Sequence, residues 1–279
     1  MKYLSLFLTV LFISSCCVTA QVVESPEKNR TQPKEAVLAK DTQIPDPPKP
    51  PKLIVGDEGI DDYHPEAFNH NRWNVLLQKH VSEKGDVDYS AIKNNPIDLH
   101  VYIDLLGGNM PNEQWNNQDK LAYWINAYNA MTIDLIIKNY PVKSIQDIKD
   151  PWKQRLWKLG SKWYNLNEIE HQILRKMNEP RIHFGIVCAS YSCPKLQNEA
   201  FTALQLDAQL TAATKEFLAD PNRNTITSDN IEVSKIFKWF SKDFKQNGSI
   251  IDFLNQYSDV QISSKAKTSF KDYNWNLNE

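Results

Sequence analysis

Two histidines, two arginines and two cysteines fall between Glu170 and Pro194, as His171, His183, Arg175, Arg181, Cys188 and Cys193. A cysteine whose proton passes to a histidine becomes a thiolate, the nucleophile of acyl transfer and hydrolysis. The stretch Arg-Ile-His-Phe-Gly-Ile-Val-Cys-Ala-Ser-Tyr-Ser-Cys-Pro, Arg181–Pro194, holds the only cysteines outside the N-terminal leader. Its first half is a short apolar run between polar segments, which predicts a buried strand. On a strand, His183 and Cys188 face opposite ways and lie roughly 16 Å apart. His183 is then no base for Cys188 unless a bulge at Gly185 breaks the strand.

His171 is the better partner on this reading. The helix that carries it packs back on the strand, so His171 reaches toward the strand's end. Arg175 lies one helical turn from His171. Glu170 is adjacent in sequence but about 100° around an α-helix, so it need not touch His171. The candidate catalytic set is Cys188 as nucleophile, His171 as base, and Glu170 or Asn126 to orient it. Arg175 and Arg181 are candidate substrate anchors, and His183 and Asn129 complete the polar set.

Competing readings stand beside this one. Cys188 and Cys193 suit a disulfide if the protein is exported, because that compartment is oxidising. They also suit two inert thiols. Pro194 at a first helical position would place Cys193 at a helix N-terminus, where its thiol pKa falls, so Cys193 competes for the nucleophile role. A zinc site from His171, His183, Cys188 and Cys193 matches no standard spacing. Asn126 and Asn129, three apart on one helix, either tie down neighbouring backbone or orient a catalytic group. His64, His70, His80 and His100 are assigned no role and are expected on polar helix faces or helix starts.

The elements that must position these groups are mostly helices. Asp119–Lys138 is apolar nearly all round, the mark of a buried helix, and Asn117 can cap it. A first helix is expected from Pro65 or Glu66 to about Val81, and a second over Ile97–Leu106, ended by Gly107-Gly108. Gly160-Ser161 predicts a hairpin with arms near Arg155–Leu159 and Lys162–Leu166. Asn165 and Glu168 predict a capping box opening the helix to about Met177 that carries Glu170, His171 and Arg175. Further helices are expected over Leu204–Leu218, around Trp239–Phe244 and over Ile250–Tyr257. Thr225–Ile226 and Ile231–Ser234 read as a hairpin, and Phe270–Leu277 as a final strand or packed arm. The fold class is α+β, a mostly helical single domain around a small antiparallel sheet with a buried central helix.

The chain has 279 residues. Residues 1–20 read as a signal peptide: Lys2, an apolar stretch from Leu4 to Ile13, then small residues. Ile13-Ser14-Ser15-Cys16 resembles the bacterial lipobox, which would lipidate Cys16, and Val18-Thr19-Ala20 offers a competing cleavage site. Residues 21–55, with Pro45-Asp46-Pro47-Pro48-Lys49-Pro50-Pro51, read as a disordered Pro-rich tether. Residues 56–279 are one globular domain. A net charge of −2 gives no reason to expect nucleic acid. The expected setting is therefore the periplasm or a bacterial membrane surface, with membrane contact only through an N-terminal lipid. No cofactor or metal is expected, and the expected partner is an envelope peptide or a small-molecule ligand.

Several motifs together resemble the DUF547 family, a family of unknown function. They are Leu121-Ala122-Tyr123-Trp124-Ile125-Asn126-Ala127-Tyr128-Asn129-Ala130, then Leu166-Asn167-Glu168-Ile169-Glu170-His171 with Arg175, then Arg181-Ile182-His183-Phe184 through Cys188 to Ser192-Cys193-Pro194. The closing Tyr273-Asn274-Trp275-Asn276-Leu277-Asn278 is similar to the family's end motif. The resemblance covers roughly Asp61 to the C-terminus and implies exported bacterial relatives and plant ones. Because the plant-like pattern keeps a cysteine at Cys188 and lacks one at Cys193, it implies that Cys188 is the functional thiol. The expected function is a thiol-dependent hydrolase or acyltransferase on peptide or amide bonds in the cell envelope. The alternative is a non-enzymatic envelope binding or scaffold module stapled by a Cys188–Cys193 disulfide.

Overall fold

The computed structural model describes residues 66–279. The expected signal peptide, Cys16 and the Pro-rich tether lie outside the described residues. Among the described residues no helix is long and apolar enough to cross a membrane.

Helices dominate, and they pack around one of their own. Helix α1 is Asn71–His80, α2 Tyr89–Asn94, α3 Ile97–Gly108 and α4 Asn117–Asn139. Every residue of α4 from Leu121 to Ile137 is buried, as expected of a helix with little polar surface. Its cap is Asn116, not Asn117: the Asn116 side chain accepts from the Asp119 N–H at 2.7 Å. Asp119 in turn accepts from the Ala67 N–H at 3.0 Å. Helix α1 itself starts at Asn71, later than Pro65 or Glu66.

Gly85–Asp88 turns the chain into α2, with Asp88 as cap accepting from the Ala91 N–H at 2.8 Å. Helix α3 runs through Gly107-Gly108 instead of stopping before it. Gly107 lies flush against the hairpin that follows, and an added Cβ would meet the Lys158 carbonyl at 2.9 Å. Glycine there permits the contact rather than ending the helix.

That hairpin pairs β1 (Trp157–Leu159) antiparallel with β2 (Lys162–Tyr164). Asn165 then caps α5 (Leu166–Glu168), accepting from the Glu168 N–H at 2.8 Å. The Glu168 carboxylate does not reach back; it pairs with Arg155 and Lys162, so only half of the expected capping box forms. The helical path continues as a π-turn over Ile169–Ile173 and a 3-10 turn over Leu174–Met177.

Arg181–Cys188 is not a strand. Ile182–Gly185 forms a short helix, α6, and the backbone becomes extended only from Ile186. In α6, Ile182 packs in the core around α4, and Phe184 packs in a second aromatic cluster with Phe217, Phe237, Phe244 and Phe253. The apolar run is buried for both reasons, and a short apolar run does not by itself distinguish helix from strand.

The remaining elements carry that second cluster. They are α7 (Leu206–Ala219), β3 (Thr225–Ile226), β4 (Asn230–Val233), α8 (Ile236–Trp239), α9 (Ser241–Phe244), α10 (Ile250–Tyr257) and β5 (Lys267–Phe270). The α+β class holds, but the three-stranded sheet is mixed: β4 pairs antiparallel with β3 and parallel with β5. Beyond β5 the tail is an arm, bridged at Asn276 to Ser144 and at Leu277 to Ser190. It thus lies over the loop that carries the cysteines.

Candidate functional site

A cavity of about 390 Å³ opens where the π-turn, α6, the cysteine loop, α8 and the tail meet. Glu170, His171, His183, Cys188 and Cys193 line it, together with Tyr128, Tyr273 and the side chains of Trp152, Trp239, Phe240 and Trp275.

The π-turn explains how two consecutive residues serve one cavity. On an α-helix Glu170 and His171 would diverge by about 100°. Glu170 Oε1 lies 3.9 Å from His171 Nδ1, so the two side chains share the cavity without a hydrogen bond between them. Such π-turns are frequent at functional sites. Glu170 is buried and accepts from the Tyr128 hydroxyl at 3.0 Å. Burial raises its pKa to about 7, against the opposing pull of that hydrogen bond and of Arg175.

His171 Nδ1 lies 3.2 Å from Arg175 Nη1. A guanidinium only donates, so Nδ1 is the acceptor and the neutral ring carries its proton on Nε2. Burial first, then the Arg175 charge, lower the His171 pKa. In this arrangement His171 is an N–H donor rather than a base. Arg175, expected as a substrate anchor, is engaged within the protein. It forks onto Asp243, with Nε to Oδ2 at 2.6 Å and Nη2 to Oδ1 at 2.8 Å.

Asp243 also accepts from His183 Nε2, at 2.8 Å. Burial would raise the Asp243 carboxyl, but hydrogen bonds from His183 and Arg175 outweigh it and hold the group well below the usual carboxylate range. The His183 ring stacks on Phe240, with centroids 4.0 Å apart. Its Nδ1 makes no hydrogen bond among the described residues, where no buried side-chain nitrogen or oxygen lacks a partner. Nδ1 is therefore the ring's unbonded polar edge, on a side chain that is only 1% exposed and lines the cavity. Burial lowers the His183 pKa and Asp243 opposes the fall.

The objection to His183 came from strand alternation, and α6 removes it: His183 and Cys188 line the same cavity. Ala189, at φ 56°, takes the left-handed conformation just after Cys188 and turns the chain there. Cys188 and Cys193 form a disulfide. Cys188 is partly exposed and Cys193 is buried.

The two asparagines of α4 tie down backbone. Asn129 Nδ2 donates to the Gly185 carbonyl at 2.8 Å, and its Oδ1 accepts from the Val187 N–H at 3.0 Å. It thereby satisfies the last carbonyl of α6 and the Val187 N–H of the extended segment that follows, as a neighbouring strand would. Asn126 does the same for both backbone groups of Phe201, at 2.7 and 3.0 Å, away from the cavity. It does not orient a histidine. Arg181 is also elsewhere, pinned by Glu179 at 2.7 Å and Asp207 at 2.8 Å. His70, expected on a polar helix face or at a helix start, stands at the start of α1 as its N-cap residue, and is buried against the Tyr102 hydroxyl at 2.7 Å.

Asp243, Ser190 and the aromatic wall were not singled out as site residues from the sequence. Tyr128 and Tyr273 stood in quoted motifs and could have been taken from there. Nothing marked Asp243 beyond its place between Phe240 and Phe244. Among the described residues no group of three His, Cys, Asp or Glu is placed to hold a metal ion.

No curated protein and no solved structure matches the chain. Residues 112–218 match the family described as "Protein of unknown function, DUF547". That stretch contains Glu170, His171, His183, Cys188 and Cys193, whereas Asp243 and Tyr273 lie beyond it. The cavity is therefore built partly from the matched segment and partly from chain that follows it, and the segment 112–218 is similar to the DUF547 family.

Proposed function

We propose that the cavity is the site of a thiol-dependent hydrolase or acyltransferase acting on peptide or amide bonds in the cell envelope. The observation that carries this reading is the Asp243–His183 pair at 2.8 Å, with Nδ1 of His183 left unbonded on a cavity that also exposes Cys188. A nucleophile, a base and a group that orients the base are the parts such chemistry requires.

In the dithiol state His183 Nδ1 takes the proton of Cys188. The thiolate attacks the carbonyl carbon of the bound amide. Asp243, already charged, stabilises the imidazolium that forms. The oxyanion is met by the Nε2–H of His171, which Arg175 fixes in that tautomer. His183 then returns the proton to the leaving amine, and water or an acceptor amine releases the acyl group from Cys188. Relative to the sequence expectation, the base moves from His171 to His183, and Arg175 becomes a positioning residue.

The closed disulfide favours a second reading, a non-enzymatic binding module in which the aromatic cavity holds an envelope peptide or small molecule. Acylation separates the two. The reduced protein is treated with p-nitrophenyl acetate and examined by intact mass and peptide mapping. The expected result is one acetyl group on Cys188, absent in Cys188→Ala and formed much more slowly in His183→Ala and Asp243→Asn. Equal acetylation rates in wild type and His183→Ala would overturn the hydrolase reading.

A further inference from the structure

The cysteine pair sits in surroundings that a structural staple does not need. Cys193 Sγ accepts from the Cys188 N–H at 3.0 Å and lies 3.2 Å from the Tyr273 hydroxyl and 3.4 Å from the Ser190 hydroxyl. Cys188 Sγ touches the same two hydroxyls, Ser190 at 3.0 Å and Tyr273 at 3.3 Å. The Ser190 and Tyr273 hydroxyls also lie 3.1 Å apart, so one amide proton and at least one hydroxyl proton of this pair face the sulfurs. Disulfide sulfur is a weak acceptor, so such a cradle contributes little to the oxidised state. It suits a thiolate, for which charge-assisted hydrogen bonds are much stronger. Burial pushes the Tyr273 hydroxyl up to about 12, so it keeps its proton and remains a donor.

The loop is also held without the disulfide. Tyr191 and Ser192 donate their N–H groups to the Asn276 and Asn274 carbonyls at 2.7 and 3.1 Å. Arg223 caps the carbonyls of Cys193 and Tyr191 at 2.8 and 2.6 Å. Opening the bond therefore leaves the sulfurs close enough to reclose. The two sulfurs are unequal: Cys188 is partly exposed on the cavity wall, whereas Cys193 is only 4% exposed.

We propose that Cys188–Cys193 is a redox-active disulfide that exchanges with dithiols through the cavity, with Cys188 the attacked sulfur and Cys193 the leaving thiolate. A thiolate of the incoming dithiol attacks Cys188 Sγ. The Cys188–Cys193 bond breaks, and the electron pair leaves on Cys193, into the cradle of Tyr273, Ser190 and the Cys188 amide. The second thiol of the reagent then attacks its own sulfur in the mixed disulfide and releases Cys188. The protein gains two electrons and two protons, and the dithiol becomes a disulfide. A leaving thiol of lowered pKa departs faster, which is the advantage the cradle confers. The proposal deepens the hydrolase reading, since only the reduced pair offers Cys188 as a nucleophile.

The test uses the oxidised full chain without denaturant. It is incubated with dithiothreitol at neutral pH, quenched with acid at intervals, alkylated and weighed intact. Both thiols are expected to appear together within minutes. Tyr273→Phe is expected to slow reduction about tenfold, as the leaving thiol loses a donor, with Ser190→Ala as a second, smaller variant. In single-cysteine variants, Cys193→Ser, which keeps Cys188, is expected to react with an aromatic disulfide at least about tenfold faster than Cys188→Ser. A pair that resists dithiothreitol until denaturant is added overturns the proposal. So do equal rates in the two single-cysteine variants, or an unchanged reduction rate in both Tyr273→Phe and Ser190→Ala. None of these readouts uses acyl transfer, so a pair that exchanges but never acylates removes the hydrolase reading alone.

Discussion

Replacing Glu170 with Gln tests the electrostatics of the cavity through stability, with no need of a substrate. The carboxyl is buried, and its pKa rises from the ordinary 4.5 to about 7 on folding. The folded protein therefore holds this proton more tightly than the unfolded chain does. Below about pH 4.5 both states are protonated and nothing is lost. Between about 4.5 and 7 the unfolded state gives up its proton first, and stability falls as pH rises. At about 1.4 kcal/mol per unit, the total loss is about 3 kcal/mol, complete above pH 7. Asp243 and His183, whose pKa values are lowered, slope the other way: their contribution is lost as pH falls. Wild type and Glu170→Gln share those two groups, so the difference between the two proteins isolates Glu170. The amide that Glu170→Gln introduces keeps an oxygen to accept from the Tyr128 hydroxyl. The assay is urea unfolding of both proteins between pH 4.5 and 8. Glu170→Gln is expected to gain about 2–3 kcal/mol relative to wild type across that range. Parallel stability curves for the two proteins between pH 5 and 7 would refute the argument that burial dominates at Glu170.

Two further outcomes follow from the same contacts. Asn129→Ala leaves the Gly185 carbonyl and the Val187 N–H buried without partners, which costs about 2–4 kcal/mol; denaturant melts will show it as a lower midpoint, and a loss under about 1 kcal/mol would mean the extended segment finds other partners. Arg175→Met removes both the donor to His171 Nδ1 and a charge that lowers the His171 pKa. The His171 imidazole is then expected to titrate at higher pH, while staying below its ordinary value because burial remains, and NMR of the ring protons reads this directly. An unmoved or falling value would show that the Arg175 contact is not made in solution.

Local pattern was enough for much of the fold. The all-round apolar surface of Leu121–Ile137 marked a helix that had to be buried, and it is the core helix. The Gly160 hairpin, the Asn165 cap, the small hairpin near Ser228 and the helix Ile250–Tyr257 were also legible, because each is decided by residues a few positions apart. The histidine–cysteine cluster of the DUF547 segment was visible as a set of residue types at a glance along the chain. Only the tertiary structure assigned its members their parts. Arg181–Cys188 has the same apolar run whether it lies on a sheet or between two hydrophobic clusters, and Asn129 supplies the hydrogen bonds that a neighbouring strand would have made. The π-turn that carries Glu170 and His171 adds a residue to one helical turn, which a periodicity of 3.6 does not foretell. Asp243 lies 60 positions from His183, and Tyr273 lies 80 from Cys193. Contacts of that separation depend on how the helices pack. The sequence by itself determined which residue types were at hand, and the packing decided which histidine Asp243 orients, which one Arg175 turns into a donor, and which sulfur faces the cavity.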